Sequence, residues 1–206
     1  MLRDTAVDSP VSLEWSVAAR ALLGEMESGD NHLVKALPQG VLIAVVDGLG
    51  HGVEAAEAGR AAVAALEAHA DQSLTAMVEH CHEELKRTRG VVMTLAEIDA
   101  PSETLTWLGI GDVDGVIVRP GSSKREHLLM RGGVVGYQLP TLRTASVPMV
   151  RGDLLILATD GLRSGYAETL DATQPAEELA NMILANFSRG TDDALVLVAR
   201  YRGRKP

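Results

Sequence analysis

From Leu13 the chain alternates, with Leu13, Trp15, Val17 and Ala19 interleaved by Glu14, Ser16, Ala18 and Arg20. A period of two predicts a strand with one buried face. Gly24 to Gly29 interrupts it, His32 to Leu37 predicts a second strand, and Pro38-Gln39-Gly40 turns tightly into Val41-Leu42-Ile43-Ala44-Val45-Val46. Six consecutive apolar residues leave no polar face, so this third strand belongs at the centre of a sheet. Past Gly52 the period lengthens, and Val53, Ala56, Val63 and Leu66 fall on one face of a helix, with alanine and glutamate elsewhere. A second helix opens at Ser73, an N-cap, carries an apolar stripe of Leu74, Met77, Val78, Cys81 and Leu85, and stops at Gly90. Six short strands are predicted next, at Val91 to Ile98, Thr104 to Ile110, Val116 to Val118, Glu126 to Met130, Leu142 to Val147 and Leu154 to Ala158. Turns such as Ala100-Pro101-Ser102 and Pro120-Gly121-Ser122 separate them. A third helix follows Pro175 with Leu179, Met182, Ile183 and Phe187 as its apolar face, and Ala194 to Tyr201 is the last strand.

This order lacks the strand and helix alternation of a doubly wound sheet. It predicts an α+β fold, a four-layer αββα sandwich in which two mostly antiparallel sheets face each other and helices flank them. No repeat, low-complexity tract or linker divides it, so one domain over residues 1–206 is expected, with loose ends at 1–10 and 202–206. The longest apolar stretch, Val41 to Val46, falls far short of the ~20 residues that cross a bilayer. Met1-Leu2-Arg3-Asp4 lacks the organisation of a signal peptide, and Cys81, the single cysteine, has no internal partner. A cytoplasmic location, away from any membrane, is the expectation.

Charge narrows the partners. Nineteen Lys and Arg stand against 28 Asp and Glu, a formal net charge of −9, and no basic run or stripe is present. Nucleic-acid affinity rests on basic side chains neutralising phosphates, so this class is excluded. With 46% hydrophobic and 23% charged residues the chain is globular, and with only 3% aromatics its core must be filled by Leu, Val, Ile, Met and Ala.

The candidate chemistry is acidic. Asp30 after Gly29, Asp47 before Gly48, Asp112 after Gly111, Asp160 before Gly161, and the pair Asp192-Asp193 after Gly190-Thr191 all lie at strand ends or tight turns. A single Asp in a turn bonds its own backbone and needs no further explanation. Asp47 and Asp160, however, directly follow apolar strands and Asp192 directly precedes one, and carboxylates converging there repel unless protonated or neutralised by cations. Oxygen ligands without a Cys or His cluster at zinc spacing select magnesium, manganese or calcium. Two such ions ~3.5 to 4 Å apart would activate a bridging water for in-line attack on phosphorus.

Val45-Val46-Asp47-Gly48-Leu49-Gly50-His51-Gly52, Gly109-Ile110-Gly111-Asp112, Ala158-Thr159-Asp160-Gly161 and Gly190-Thr191-Asp192-Asp193-Ala194-Leu195-Val196 resemble, in order and spacing, the motifs of the metal-dependent protein phosphatase (PP2C-like) family. The resemblance is to its bacterial sporulation and stress-response (SpoIIE-like) branch and, with Ser28-Gly29-Asp30, covers nearly the whole chain. It implies a serine/threonine protein phosphatase using two Mn²⁺ or Mg²⁺ ions, with a third in some members. Asp47 would bridge the two metals, and the Gly48 carbonyl would hold the second. Asp160 and Asp192 would hold the first, Asp30 the second directly or through water, and Asp112 a third, weaker ion. Asp193 would orient its neighbour, and Gly132 to Gly136 resembles a mobile loop beside the active site. The implied partners are phosphorylated stressosome scaffold and anti-sigma-factor-antagonist (STAS-domain) proteins, in negative feedback on stress signalling, and a monomer is expected.

The chain departs from the eukaryotic branch at two places. Leu49 stands where that branch has its proposed general-acid histidine, and Gly24-Glu25-Met26-Glu27-Ser28 offers no phosphate-binding arginine. His51, two residues beyond Leu49, is therefore a candidate proton source without inheriting that role. Competing readings are weighed on the same residues. Gly50-His51-Gly52-Val53-Glu54-Ala55 fits a dinucleotide fingerprint, but Asp47 would oppose a pyrophosphate and a helix follows where that unit needs a strand. Asp112-Val113-Asp114-Gly115 lacks the later ligands of a calcium loop, His80-Cys81-His82 point about 100° apart on a helix, and Arg151-Gly152-Asp153 reads as a polar turn. Two functional alternatives stay open: a pseudophosphatase that docks on the same partners without turnover, and a phosphatase acting on a small phosphoester.

Overall fold

A computed structural model describes residues 9–205. Along the chain these form β1 (Val11–Arg20), β2 (Asn31–Leu37), β3 (Gly40–Gly48), α1 (Val53–Ala68), α2 (Leu74–Leu85), β4 (Val91–Asp99), β5 (Thr104–Ile110), β6 (Asp114–Val118), β7 (Arg125–His127), β8 (Ala145–Pro148), β9 (Leu154–Ala158), α3 (Ala176–Phe187) and β10 (Ala194–Arg204). The strands make two five-stranded sheets, β1-β10-β9-β6-β7 and β2-β3-β4-β5-β8, in which all the strand pairs are antiparallel. The α+β sandwich expected from the element order is the architecture found.

Strand β3 explains the layering. Val41, Ile43 and Val45 enter the core between the sheets with Trp107, Leu155 and Leu197, while Leu42, Ala44 and Val46 turn to the layer of α1 and α2. Each large aliphatic side chain buried this way contributes about 1.5–3 kcal/mol relative to exposure. A charge before position 47 would therefore be costly, and Asp47 is where the strand leaves both cores. On the far side, α3 covers Ile156, Val196 and Val198 through Ala176, Leu179, Ala180 and Ile183. Helix α2 starts where Ser73 accepts a hydrogen bond from the Ala76 N–H at 3.3 Å, and its whole predicted stripe is buried.

Four details differ from the sequence reading. The buried face of α1 is its alanine face, Ala55, Ala58, Ala62 and Ala65 with Leu66, whereas Val53 is exposed, because small side chains let the helix lie close on β3. Strand β7 ends at His127: Leu128 still donates to the Gly115 carbonyl, but the chain then crosses to the other sheet, where Arg131 exchanges main-chain bonds with Gly109 and Gly111. Strand β8 starts only at Ala145, since Leu142 packs against the core beneath α1 and α2 instead of extending the edge. At the ends, residues 202–204 are strand, with Arg204 opposite Val11 and Gly203 opposite Ser12 beside a bulge. The Lys205 N–H donates to Pro10, and the Ser9 hydroxyl to Gly40. Residues 1–8 and 206 of the expected loose ends lie outside the described residues.

Candidate metal centre

Strand register brings the acidic turns to one end of the sandwich. Asn31 faces Val46 across β2 and β3, so Asp30 and Asp47 leave adjoining strand ends together. Val196 and Asp114 both face Ala158, so the turns carrying Asp160, Asp192 and Asp112 also share that end. The two sheets are tied there by the Thr159 hydroxyl, which donates to Asp30 Oδ2 at 2.8 Å. The Asp193 carboxylate, buried to 3% exposure, accepts from the Leu22 and Gly29 N–H groups, both at 2.7 Å. It thereby clamps both ends of the β1–β2 loop to the start of β10, and the Gly48 N–H donates to the Gly29 carbonyl at 3.2 Å. Two glycines permit the approach. A Cβ on Gly161 would stand 1.7 Å from the Asp193 carbonyl oxygen, and one on Gly48 2.2 Å from that of Ala55.

The electrostatics follow from this crowding. Burial pushes the Asp47 carboxyl up to about 9, helped by the charges of Asp30, Asp160, Asp112 and Asp192. Asp30 rises to about 7 through burial and then the charges of Asp193, Asp160 and Asp192, opposed by the Thr159 hydrogen bond. Asp160 is raised by burial and by Asp112 and Asp192, with Arg189 opposing. The ion pairs among the described residues go to Glu14, Glu25, Glu27, Glu54, Glu67, Glu83, Glu84, Glu126, Asp114 and Asp153, and to none of these acids. Among those residues, too, no three His, Cys, Asp or Glu side chains are gathered tightly enough to close on one ion. The carboxylates thus share a field without forming a finished ligand shell, as mutual repulsion requires. The donor set, all carboxylate with main-chain carbonyls nearby, fits hard divalent cations.

Beside the acids lies a cavity of about 690 Å³, lined by Asp112, Asp160 and Asp192 together with Thr191, Arg189, His127 and Tyr166. The Tyr166 hydroxyl, on a buried ring, donates to Asp114 at 2.6 Å, and burial with that acid beside it pushes the phenol's pKa up. His51 stands apart from the acids: its side chain is 56% exposed and its Nδ1 lies 2.7 Å from Glu25 Oε1. The glycine segment at 132–136 reaches the same end of the sheet, pinned through Val135 to Val91 and through the Gly136 N–H to His82 Nδ1 at 2.9 Å. Thr159, visible in the sequence only as part of its motif, and Arg189 carry no local signal of their contacts, and Asp193 is marked there only as the neighbour of Asp192. Their partners lie up to 171 positions away, although the doubled acid before an apolar strand marks Asp193.

Residues 38–202 match the family model of Stage II sporulation protein E (SpoIIE), and the chain belongs to that family. The phosphoserine phosphatase RsbX of Bacillus subtilis (strain 168) is 25% identical to it over 178 residues, covering 86% of this chain and 89% of RsbX. Among solved structures, a chain from work on the bacterial stressosome as a modular system adapted to control secondary messenger signaling is 32% identical. It covers 92% of this chain and 100% of its own at a TM-score of 0.84. RsbX in complex with magnesium superimposes with a TM-score of 0.81 at 22% identity over 92% of this chain and 95% of that one, which shows the shared fold.

Proposed function

We propose that the chain is a metal-dependent serine/threonine protein phosphatase that hydrolyses phosphoserine or phosphothreonine on stressosome or STAS-domain proteins, in negative feedback on stress signalling in the cytoplasm. The observation that carries this reading is the set of Asp30, Asp47, Asp112, Asp160 and Asp192 at one end of the sandwich, uncompensated by ion pairs. Membership of the SpoIIE family and the likeness to a phosphoserine phosphatase support it. No helix among the described residues is long and apolar enough to cross a membrane.

Asp47 with the Gly48 carbonyl, Asp160, Asp192 and Asp30 are the residues that would hold two Mg²⁺ or Mn²⁺ ions, with Asp112 for a third. Such ions supply Lewis acidity that lowers the pKa of water and neutralises phosphate charge. The chain's own contribution is placement. Burial keeps Asp47 and Asp30 short of solvent, so they favour a cation over open water. Asp193 holds the Asp30 loop, and Thr159 holds the Asp30 carboxylate itself. In the reaction the phosphorus to serine or threonine oxygen bond breaks, water oxygen bonds to phosphorus, and the leaving oxygen takes a proton, with no covalent phosphoenzyme. A non-catalytic docking role has no observation in its favour, because a scaffold does not need clustered, unpaired carboxylates. The test is hydrolysis of a phosphothreonine-bearing stressosome protein and of an aryl phosphate, each with EDTA, Mg²⁺ or Mn²⁺. Metal-dependent phosphate release from the protein is expected; silence on both substrates with metal bound would overturn the reading.

A further inference from the structure

The cavity beside the acids has two basic side chains in its wall: His127, whose Nδ1 lies 3.8 Å from Asp114, and Arg189, on the short loop between α3 and β10. The position of Arg189 is fixed at two points. The Arg189 main-chain N–H donates to the Gly161 carbonyl at 2.8 Å, and its Nε–H to the Leu162 carbonyl at 3.3 Å. Both acceptors lie on the turn that also carries Asp160, so the guanidinium is referenced to the acidic mouth. The neighbouring arginines are used otherwise: Arg163 Nη2 donates to the Asn186 carbonyl at 2.5 Å and Arg20 Nη2 to the Ser188 hydroxyl. Among the described residues no hydrogen bond or ion pair engages the two terminal nitrogens of Arg189. Its four terminal N–H donors form a planar fork on an exposed residue that lines the cavity, whose other charged walls are mostly carboxylates. A phosphate entering that mouth meets repulsion from Asp112, Asp160 and Asp192, and a guanidinium fork matches its oxygens with two parallel charge-assisted bonds.

We propose that Arg189 binds the substrate's phosphoryl oxygens, orienting the phosphate against the acidic centre. The proposal rests on the phosphatase reading above. It gives the loop before β10 two tasks, since Asp192 would hold a cation while Arg189, three residues earlier, would receive the anion.

The test uses the full chain loaded with Mg²⁺. Arg189→Gln removes the charge and the fork and leaves a shorter neutral amide, and Arg189→Lys keeps the charge but loses the fork. Calorimetry reads the dissociation constants of inorganic phosphate and of Mg²⁺, and steady-state kinetics read kcat and KM on a phosphothreonine-bearing protein. Loss of a charged hydrogen-bond pair predicts phosphate binding weakened about 10- to 100-fold in the Gln variant, a comparable fall in kcat/KM carried mainly by KM, and partial recovery in the Lys variant. Mg²⁺ affinity should stay within about twofold. Phosphate affinity unchanged in the Gln variant, or Mg²⁺ affinity falling in step with it, would overturn the proposal. A wild-type chain that binds phosphate yet hydrolyses neither substrate would sink the phosphatase reading alone, and one that hydrolyses the phosphoprotein with KM unchanged in the Gln variant would sink the Arg189 assignment alone.

Discussion

Asp153 and Asp160 flank the same five-residue strand, β9, and the fold treats them in opposite ways. Asp153, 1% exposed, sits against Arg119 Nη1 at 2.6 Å and accepts from the Val150 N–H at 2.9 Å. Arg119 also reaches Glu126 and the Pro148 carbonyl, so this end of the sheet closes its charges internally. At the other end Asp160 has Asp112 and Asp192 for company, with Asp47 and Asp30 behind them, and Arg189 acts on it only at a distance. The difference lies in what was placed beside each residue, since both are aspartates at strand ends. A structural carboxylate is given its cation by the chain; the carboxylates proposed to hold metal are given none.

Removing a carboxylate of the candidate metal centre should have the largest effect. Asp47→Asn is expected to cut turnover by about a thousandfold, the scale of losing a key electrostatic group. The metal-free melting temperature at pH 7 should change little, because Asn mimics the protonated carboxyl that a pKa pushed up to about 9 implies. Near-normal turnover would show that the acidic end is not where the chemistry occurs. Arg119→Ala attacks the structural end instead. It strands Asp153 without its partner, and because Arg119 is itself 31% exposed the expected loss is roughly 2–3 kcal/mol, below the cost of breaking a fully buried pair. Turnover per folded molecule should be unchanged. A chemical melt showing no loss would mean that solvent replaces Arg119 at Asp153.

A milder effect comes from pH. Asp30 and Asp47 have folded values of about 7 and about 9, above the 3.8 of an unperturbed Asp. Between roughly pH 4 and these values the folded chain holds protons that the unfolded chain has released, so metal-free stability falls as pH rises. Cations displace those protons, and Mg²⁺ stabilises more at high pH. The gap between Mg²⁺-loaded and metal-free melting temperatures should therefore widen from pH 5 to pH 9. A constant gap would detach the acids from the metal.

What the sequence revealed and what it hid divide along the same line. Strand β3 was legible because six apolar residues in a row admit one placement, and Asp47 and Asp160 because each breaks an apolar strand abruptly. Asp153 read as part of a polar turn because its partner Arg119 is 34 positions away, and nothing local distinguishes a paired turn acid from an unpaired one. Asp193 was seen beside Asp192, but its hold on Leu22 and Gly29 spans 171 and 164 positions. Val53 was placed inside by helical periodicity, yet the alanines of α1 won the contact because they approach the sheet more closely. Local pattern specifies elements and marks unusual residues, whereas a side chain's role is set by partners that only topology supplies.

His51 is where the comparison predicts the least. A proton donor to a serine or threonine leaving group has to reach the reacting oxygen, and losing one costs about 10²- to 10⁴-fold in rate. The ring lies between Gly50 and Gly52, both at positive φ, is 56% exposed, and contacts Glu25 rather than any of the acids. An exposed pair of this kind adds little to stability, so His51→Ala should shift the melting temperature by about 1 °C or less. Mg²⁺ affinity should be retained, and turnover should stay within about twofold with the same pH profile. Loss of one limb of that profile would mean that substrate binding pulls His51 away from Glu25 and onto the leaving oxygen. Glu25→Gln then separates the cases: it removes the charge beside the ring without removing the ring, so a genuine donor would keep its limb in this variant and lose it only in His51→Ala, while a purely structural pair would leave the profile untouched in both variants.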